Sequence, residues 1–346
     1  MDILYGKYEN RYKANLHCHT RRSDGRATPE RIKEEYMKRG YSVVAFTDHE
    51  VLIDCSDLCD ENFVAINACE LSVGGPKVDL DSPTPSAKVA HINFFAKDQS
   101  NTVTPFYNDK YYHPKFEDMR PFVKPGEEFD RRYTHESINA MVARAHELGY
   151  LVSLNHPVWS LQTAEDYLGY EGFDFIEVHN TGCAVSGFHE SDTAYNDMMK
   201  DGKSIMPVAD DDNHNIYEFE GPRTDSFGGW IVLDAPKLDY PTVISALEQG
   251  DFYASTGPEI YSIVLDGGVL TVRCSPIKRA FLITQGRQQS QAFAPEGETI
   301  TAASFKFRVA ATRFRIRIED EYGRRAYTKI YELPEDTPRV DALPQK

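Results

Sequence analysis

The sequence predicts an α/β fold, layered or barrel, that gives way near residue 257 to a small all-β domain of sandwich type. Three observations carry this expectation. From residue 14 to about 257, short apolar runs alternate with capped helical segments, the rhythm of strands and helices stacked in layers. At Ser255-Thr256-Gly257-Pro258 the helical grammar stops. Beyond it, β-rich runs are separated by turns alone, which suits a small sandwich.

Taken in chain order, the runs at 43–47, 64–69, 151–155, 173–178 and 204–209 are short, apolar and bounded by polar residues, so they read as buried strands. A helix opens at Thr28-Pro29-Glu30, where a capping hydroxyl precedes proline and an acid, and Gly40 closes it. The stretch 134–149 repeats that pattern, with Ala140, Val142, Ala143, Ala145 and Leu148 as its buried face. A shorter third case spans 241–250. In the β region the strand-like runs are 260–265, 269–274, 280–284, 305–309 and 314–318, with turns at Asp266-Gly267-Gly268 and Glu321-Tyr322-Gly323. There Phe314, Ile316 and Ile318 alternate with Arg313, Arg315 and Arg317, and such a basic stripe reads first as a solvated face. The expected domains are 1–257 and 258–346. Segment 98–133 is rich in Tyr, Phe and Pro without a clear period, and is expected to be an ordered lid insertion.

The bulk numbers narrow the function. The 346 residues are 41% hydrophobic and 27% charged, and the formal net charge is −16. That charge repels long nucleic acid and anionic membrane. A small anion remains compatible, because bound cations dominate the field inside a pocket. No run approaches the ~18–20 apolar residues of a membrane span, and the N-terminus shows no apolar leader. The six cysteines have no repeated spacing. Reduced thiols and a cytoplasmic protein are the expectation.

The chemistry lies with the histidines. His17 and His19 flank Cys18; on extended chain both imidazoles face one way while Cys18 turns into the packing. Asp24 follows, then Asp48-His49 and Glu70 after β-branched runs, His156 after another, and Asp212 with His214 after a fifth. Imidazole with carboxylate is the donor set of hydrolytic zinc, manganese and iron sites. Recurrence at successive strand ends points to one cluster. Of Asp210, Asp211 and Asp212, the last is taken because it stands two residues before His214. Asp48 is expected to orient a ligand imidazole, or to cap its strand. Glu177 and His179 share one face of a strand, so one or both are expected to support the cluster, with direct ligation as the lesser reading. His113, His135, His146 and His189 read as structural or exposed. Arg21 or Arg22 and Arg223 are the best-placed cations for a phosphate, ahead of Lys110, Lys115 and Arg131 in the 98–133 segment.

Asn15-Leu16-His17-Cys18-His19-Thr20, Ser23-Asp24-Gly25 and Phe46-Thr47-Asp48-His49 resemble the motifs of the PHP (polymerase and histidinol phosphatase) superfamily. Glu70, His91, Asn155-His156-Pro157 and Asp211-Asp212-Asn213-His214 continue its motif order. The resemblance covers about residues 10–257, and the exit at Tyr253–Pro258 with its β tail is similar to a two-domain branch of that family. What it implies is a distorted (β/α)7 barrel with a trinuclear site. The implied ligands are His17, His19, Asp24, His49, Glu70, His91, His156, Asp212 and His214. One ion would take His17, His19 and Asp212 with Glu70; a second Glu70, His91 and His156; a third Asp24, His49 and His214.

The expected activity is hydrolysis of a small phosphomonoester, phosphodiester or nucleotide-type phosphate by water activated on two or three divalent ions of zinc, manganese or iron. Two other readings stay open: hydrolysis of an amide or carboxylic ester at the same metals, or a binding scaffold whose β domain meets glycan or protein.

Overall fold

The computed structural model describes residues 1–340 apart from 79–81, 84, 113, 191 and 288, and it is a mixed α/β structure. Its first part comprises β1 (Asp2–Tyr5), β2 (Arg11–Asn15), α1 (Pro29–Met37), β3 (Tyr41–Phe46), β4 (Val64–Lys77), β5 (Ala87–Ala96), β6 (Val103–Thr104) and β7 (Lys124–Pro125). Then follow α2 (His135–Glu147), β8 (Tyr150–Leu154), α3 (Ala164–Tyr167), β9 (Phe175–Asn180), α4 (Thr181–Val185), α5 (Thr193–Lys200), β10 (Met206–Asp210), β11 (Trp230–Asp234), α6 (Tyr240–Gln249) and β12 (Phe252–Ser255). The three helices expected from the sequence start where their caps lie. Thr28, Thr134 and Asp239 each accept a backbone N–H from the first turn, at Arg31, Ser137 and Thr242. Gly250 ends α6 in the left-handed conformation, φ +64°.

Seven strands run side by side in the order β2-β3-β4-β5-β8-β9-β10. All their pairings are parallel except those of β5, which runs antiparallel to both β4 and β8. Alternate side chains from these strands and the inner faces of α2 and α6 make one continuous core, including Val43, Ile66, Phe94, Met141, Val152 and Val243. The closed barrel that the resemblance implies is not drawn as a ladder among the described residues. Beyond the ends of β2 and β10 the two edges meet in one parallel bridge at Cys18 and Asn213, through Asp212 N–H to His17 O (2.9 Å) and His19 N–H to Asn213 O (3.1 Å), and Asn15 Oδ1 accepts the Asp211 N–H at 3.0 Å. The free edge of β2 is instead occupied by antiparallel β11, which leads on to β12.

The β region holds β13 (Ile260–Asp266), β14 (Val269–Ile277), β15 (Arg279–Thr284), β16 (Ser290–Phe293), β17 (Ile300–Arg308), β18 (Arg313–Glu319), β19 (Arg325–Thr328), β20 (Tyr331–Glu332) and β21 (Arg339–Val340). One sheet has the order β1-β13-β14-β17-β21, so the N-terminal strand joins it, Ile3 opposite Val264. The other, β19-β18-β15-β16, continues the large sheet because β19 pairs with β12. Ile263, Val272, Phe307, Phe314 and Ile316 fill the space between the two sheets.

The basic stripe on β18 is not solvated. Arg315 is fully buried and donates to Asp192 Oδ2 (2.5 Å) and Asn196 Oδ1 (2.6 Å), while Arg317 reaches the same Asp192 at 3.1 Å. Arg313 donates to Lys203 O and Ser204 Oγ. Alternation showed that this face was distinct, but not that α5 and the residues flanking it would cover it. Segment 98–133 is also packed down. Arg131 is buried, donates to both oxygens of Glu50 at 2.8 Å and to Phe106 O at 2.9 Å, and so ties this segment to the residue after His49. Among the described residues, no helix is long and apolar enough to cross a membrane.

Candidate metal centre

Every parallel strand points its C-terminal end to one rim, and the sequence-predicted ligands converge there. His17 and His19 follow β2, are fully buried, and bring their Nε2 atoms within 3.1 Å of each other. Both aim at Asp212 Oδ1, at 3.2 and 2.9 Å. Glu70, fully buried in β4, lies at the centre. Its Oε1 is 3.4 Å from His17 Nε2, 3.2 Å from His91 Nδ1 and 3.4 Å from His156 Nε2. Its Oε2 is 3.0 Å from His49 Nδ1 and 3.5 Å from His19 Nε2. On the outer side Asp24 stands 3.4 Å from His214 Nε2, 3.7 Å from His49 Nε2 and 3.8 Å from His19 Nδ1. Four donor groups sized for an ion result among the described residues: His17-His19-Asp212, His17-Glu70-His156, His19-Asp24-His49-His214 and, outside the expected ligand set, His17-Glu177-Asp210.

The reversed direction of β5 explains His91. A ligand on a parallel strand ends its apolar run, but His91 opens one, and on an antiparallel strand the opening residues lie at the same rim. Its partner across the ladder is Ser72, two residues beyond Glu70.

Local backbone demands are specific. Gly25 lets the 20–25 turn fold back on His19, since a Cβ there would lie 2.5 Å from His19 O. A Cβ on Gly182 would lie 2.7 Å from Asp212 O. His156 and Asp212 adopt positive φ, +25° and +50°, without being glycine, and such strain persists only where the surroundings hold it.

The supporting hydrogen bonds differ in part from the sequence reading. Glu177 Oε1 accepts from His17 Nδ1 at 2.6 Å, and its Oε2 accepts the His156 N–H at 2.7 Å. This bond leaves His17 Nε2 facing the cluster. His179 stays apart, 3.2 Å from Thr181 Oγ1, and burial lowers its pKa to about 4. Among the described residues Asp48 meets no imidazole by hydrogen bond; it accepts the Thr20 N–H and the Thr20 and Ser23 hydroxyls, and so braces the turn that carries Asp24. Asp211 accepts the N–H groups of Phe227, Gly228 and Gly229 and the Tyr36 hydroxyl, an anchoring role. Asn155 donates to Glu70 Oε1 and Asn180 to Asp212 Oδ2, two contacts that sequence spacing did not signal.

Above the cluster lies a cavity of about 310 Å³, lined by Asp24, His49, Glu70, His91, His156, Asp212 and His214, and also by Trp159, Val185, Ile216, Tyr217 and Arg223. Arg223 thus opens onto the same cavity as the cluster. Arg22 does not line it and donates to Cys55 Sγ at 2.9 Å; Arg21 donates to Arg26 O. Lys110 pairs with Asp130 and Arg131 with Glu50, and neither lines the cavity. The Lys115 side chain and His113 lie outside the described residues. His135 and His146 bond backbone carbonyls of Asp166 and Gly172.

Electrostatics bind the group tightly. Burial alone pushes the Glu70 carboxyl up, but the imidazoles of His91, His17 and His49 outweigh it and hold it well below the ordinary range. Burial and then His17 and His19 act likewise on Asp212. Burial opposes charge on His156 and His214, yet Glu70 and Glu177 for the first, and Asp24 and Asp212 for the second, raise each to about 9. Burial, with the neighbouring imidazoles of His214 and His49, lowers His19 to about 3.

No family model matches the chain, and no curated protein matches it. Among solved structures, the chain is similar to a two-domain protein of Bacteroides vulgatus described as containing a predicted PHP-like metal-dependent phosphoesterase. The identity is 13%, over 96% of this chain and 98% of that one, with a TM-score of 0.45. A candidate metal-dependent phosphoesterase of Bifidobacterium adolescentis matches at 16% identity over 68% of this chain and 96% of its own, with a TM-score of 0.38. An amidohydrolase of Chromobacterium violaceum, with bound sulfate and no metal, matches at 14% over 58% and 87%, with a TM-score of 0.34.

Proposed function

We propose that this protein is a metal-dependent phosphoesterase that acts on a small substrate, with the seven strands β2-β3-β4-β5-β8-β9-β10 serving as a distorted (β/α)7 barrel. One observation carries the reading: Glu70 is shared by five imidazoles, with Asp24 and Asp212 flanking it, beneath a cavity that Arg223 also faces.

The residues fit divalent ions. Among the described residues His19 Nδ1 is buried without a hydrogen-bond partner, with Asp24 Oδ1 3.8 Å off. Nitrogen and carboxylate oxygen are the donors that zinc, manganese and iron accept. His17, His19 and Asp212 would hold one ion, Glu70, His91 and His156 a second, and Asp24, His49 and His214 a third. Ions bound there supply the positive charge that polarises an ester oxygen and acidifies water. Glu177 keeps His17 in the tautomer that presents Nε2, and Asn155 and Asn180 fix the Glu70 and Asp212 carboxylates. Arg223 faces the cavity as the cation for a phosphate oxygen.

The test is metal analysis of protein purified without chelator, followed by assay with manganese against phosphomonoesters, phosphodiesters and nucleotide bisphosphates. Two or three metals per chain with chelator-sensitive phosphate release support the proposal. Stoichiometric metal without phosphate release moves the reaction to a carbonyl ester or amide. A metal-free, inactive protein returns the scaffold reading.

A further inference from the structure

The wall of the metal cavity is divided. Asp24, His49 and His91, from the β2, β3 and β5 side, make one half polar. The other side carries Trp159, Val185, Ile216 and Tyr217, which follow β8, β9 and β10, three neighbouring strands. Gly182, Cys183, Ser186 and Asp225 line the cavity with them. Trp159, Val185, Ile216 and Tyr217 are 39%, 41%, 58% and 49% exposed, and they line one cavity together. Scattered exposed apolar residues need no explanation, but a contiguous arc on the rim of a polar site does.

The arc is also held in place. The Trp159 ring packs edge-on against His156, with centroids 5.0 Å apart, and lies 5.5 Å from His91. The N–H groups of Val158 and Trp159 both donate to the Glu190 carboxylate at 3.0 Å. Tyr217 carries the Arg223 guanidinium over its ring at 4.1 Å, and Arg223 has no ion-pair partner among the described residues. A guanidinium stacked this way keeps its N–H donors free at the edge.

We infer that the substrate's leaving group is a flat, uncharged ring system seated against Trp159, Val185, Ile216 and Tyr217, while Arg223 meets the phosphate. This rests on the phosphoester reading and names its substrate class. A sugar or polyol leaving group would leave the apolar surface of these four side chains wet. The polar groups beside them are Ser186 and the Asp225 carboxylate, which already accepts the His214 and Asn215 N–H groups. A cavity of about 310 Å³ suits one small ring system beside the phosphate. In the reaction, water oxygen bonds to phosphorus and the bond from phosphorus to the ring's oxygen breaks. That oxygen ends with one proton of the water, so the products are the free ring alcohol and inorganic phosphate.

The test separates binding from turnover. Manganese-loaded protein is titrated calorimetrically with phenylphosphonate and with methylphosphonate, neither of which can be hydrolysed. Phenylphosphonate is expected to bind about tenfold more tightly, from ring burial and stacking. In a Trp230→Phe variant the remaining tryptophan is Trp159, and its emission should change with phenylphosphonate. Tyr217→Ala and Trp159→Leu should each collapse the affinity ratio towards one, whereas Tyr217→Phe should keep it. Equal binding of the two phosphonates, or a ratio indifferent to both truncations, overturns the inference. A preserved ratio in a protein that releases no phosphate supports the ring pocket and overturns the phosphoesterase reading instead. Phosphate release from methyl and phenyl esters alike, with equal binding, does the reverse.

Discussion

Two of the places where this molecule buries charge are balanced differently. At the seam between the β region and α5, Arg315 and Arg317 share Asp192. Burial favours the neutral acid there, but the two guanidiniums outweigh it and keep the Asp192 pKa low. Guanidinium is charged at any working pH, so the seam is a closed account. At the rim, three carboxylates face six imidazoles, whose charge depends on protons. An imidazole can give up its proton and take a metal with the same nitrogen. The seam is therefore built to keep its cations and the rim to exchange them.

The comparison breaks most sharply if both clusters prove to be merely structural. Replacing His17 together with Asp212 by alanine is expected to abolish turnover and cut bound metal while circular dichroism stays native. Loss of folding with specific activity retained in the soluble fraction would sink the ligand assignment. Arg315→Met should do the opposite, lowering stability in urea unfolding by less than the about 3–5 kcal/mol of a buried pair broken outright, because Asp192 loses its nearer guanidinium but keeps Arg317, with metal stoichiometry unchanged.

Metal removal should act on the rim alone. At about 100 times its dissociation constant, a bound metal adds about 2.7 kcal/mol to stability, so chelator should lower the melting temperature of wild type and of Arg315→Met alike. Smaller still, Glu177→Gln weakens the hold on His17 Nδ1 and should reduce metal affinity by about 10–100-fold, measured by competition with a chromophoric chelator. Proton linkage sharpens the contrast further. His156 and His214, raised to about 9, carry protons at pH 7 that metal must displace. Apparent affinity should rise with pH up to that range, and fall below it by about tenfold per pH unit for each proton displaced. Calorimetry in buffers of different ionisation enthalpy counts those protons; no release at pH 7 would contradict the assignment of these two as ligands.

Much of the rim was legible because the ligands sit where apolar runs stop, and alternation on extended chain fixes which neighbours share a face. His17 with His19 is the clearest case. His91 was reachable only through the family resemblance, because nothing local announces that β5 runs backwards. Choosing Asp212 among three aspartates needed the spacing to His214; the fold gives Asp211 to the 227–229 backbone instead. Arg22 and Asp48 show the limit of adjacency along the chain: each is beside a motif, yet one turns to Cys55 and the other to the 20–23 turn. The β18 arginines show a related limit, since periodicity separates two faces without saying what covers either. The meeting of β1 with β13 left no local trace at all, for a strand's sequence does not name its partner.

That last pairing has a consequence for how the chain folds. Ile3 is synthesised long before its partner Val264, which arrives only after the whole α/β region between them has been made. Contacts so distant in sequence are slow to form, because loop closure comes before the reward. The β1-to-β13 ladder is therefore expected to be a late event, closing over parts already shaped. A chain stopped short of residue 260 would leave β1 as an unpaired edge, which is a handle for aggregation or for quality control.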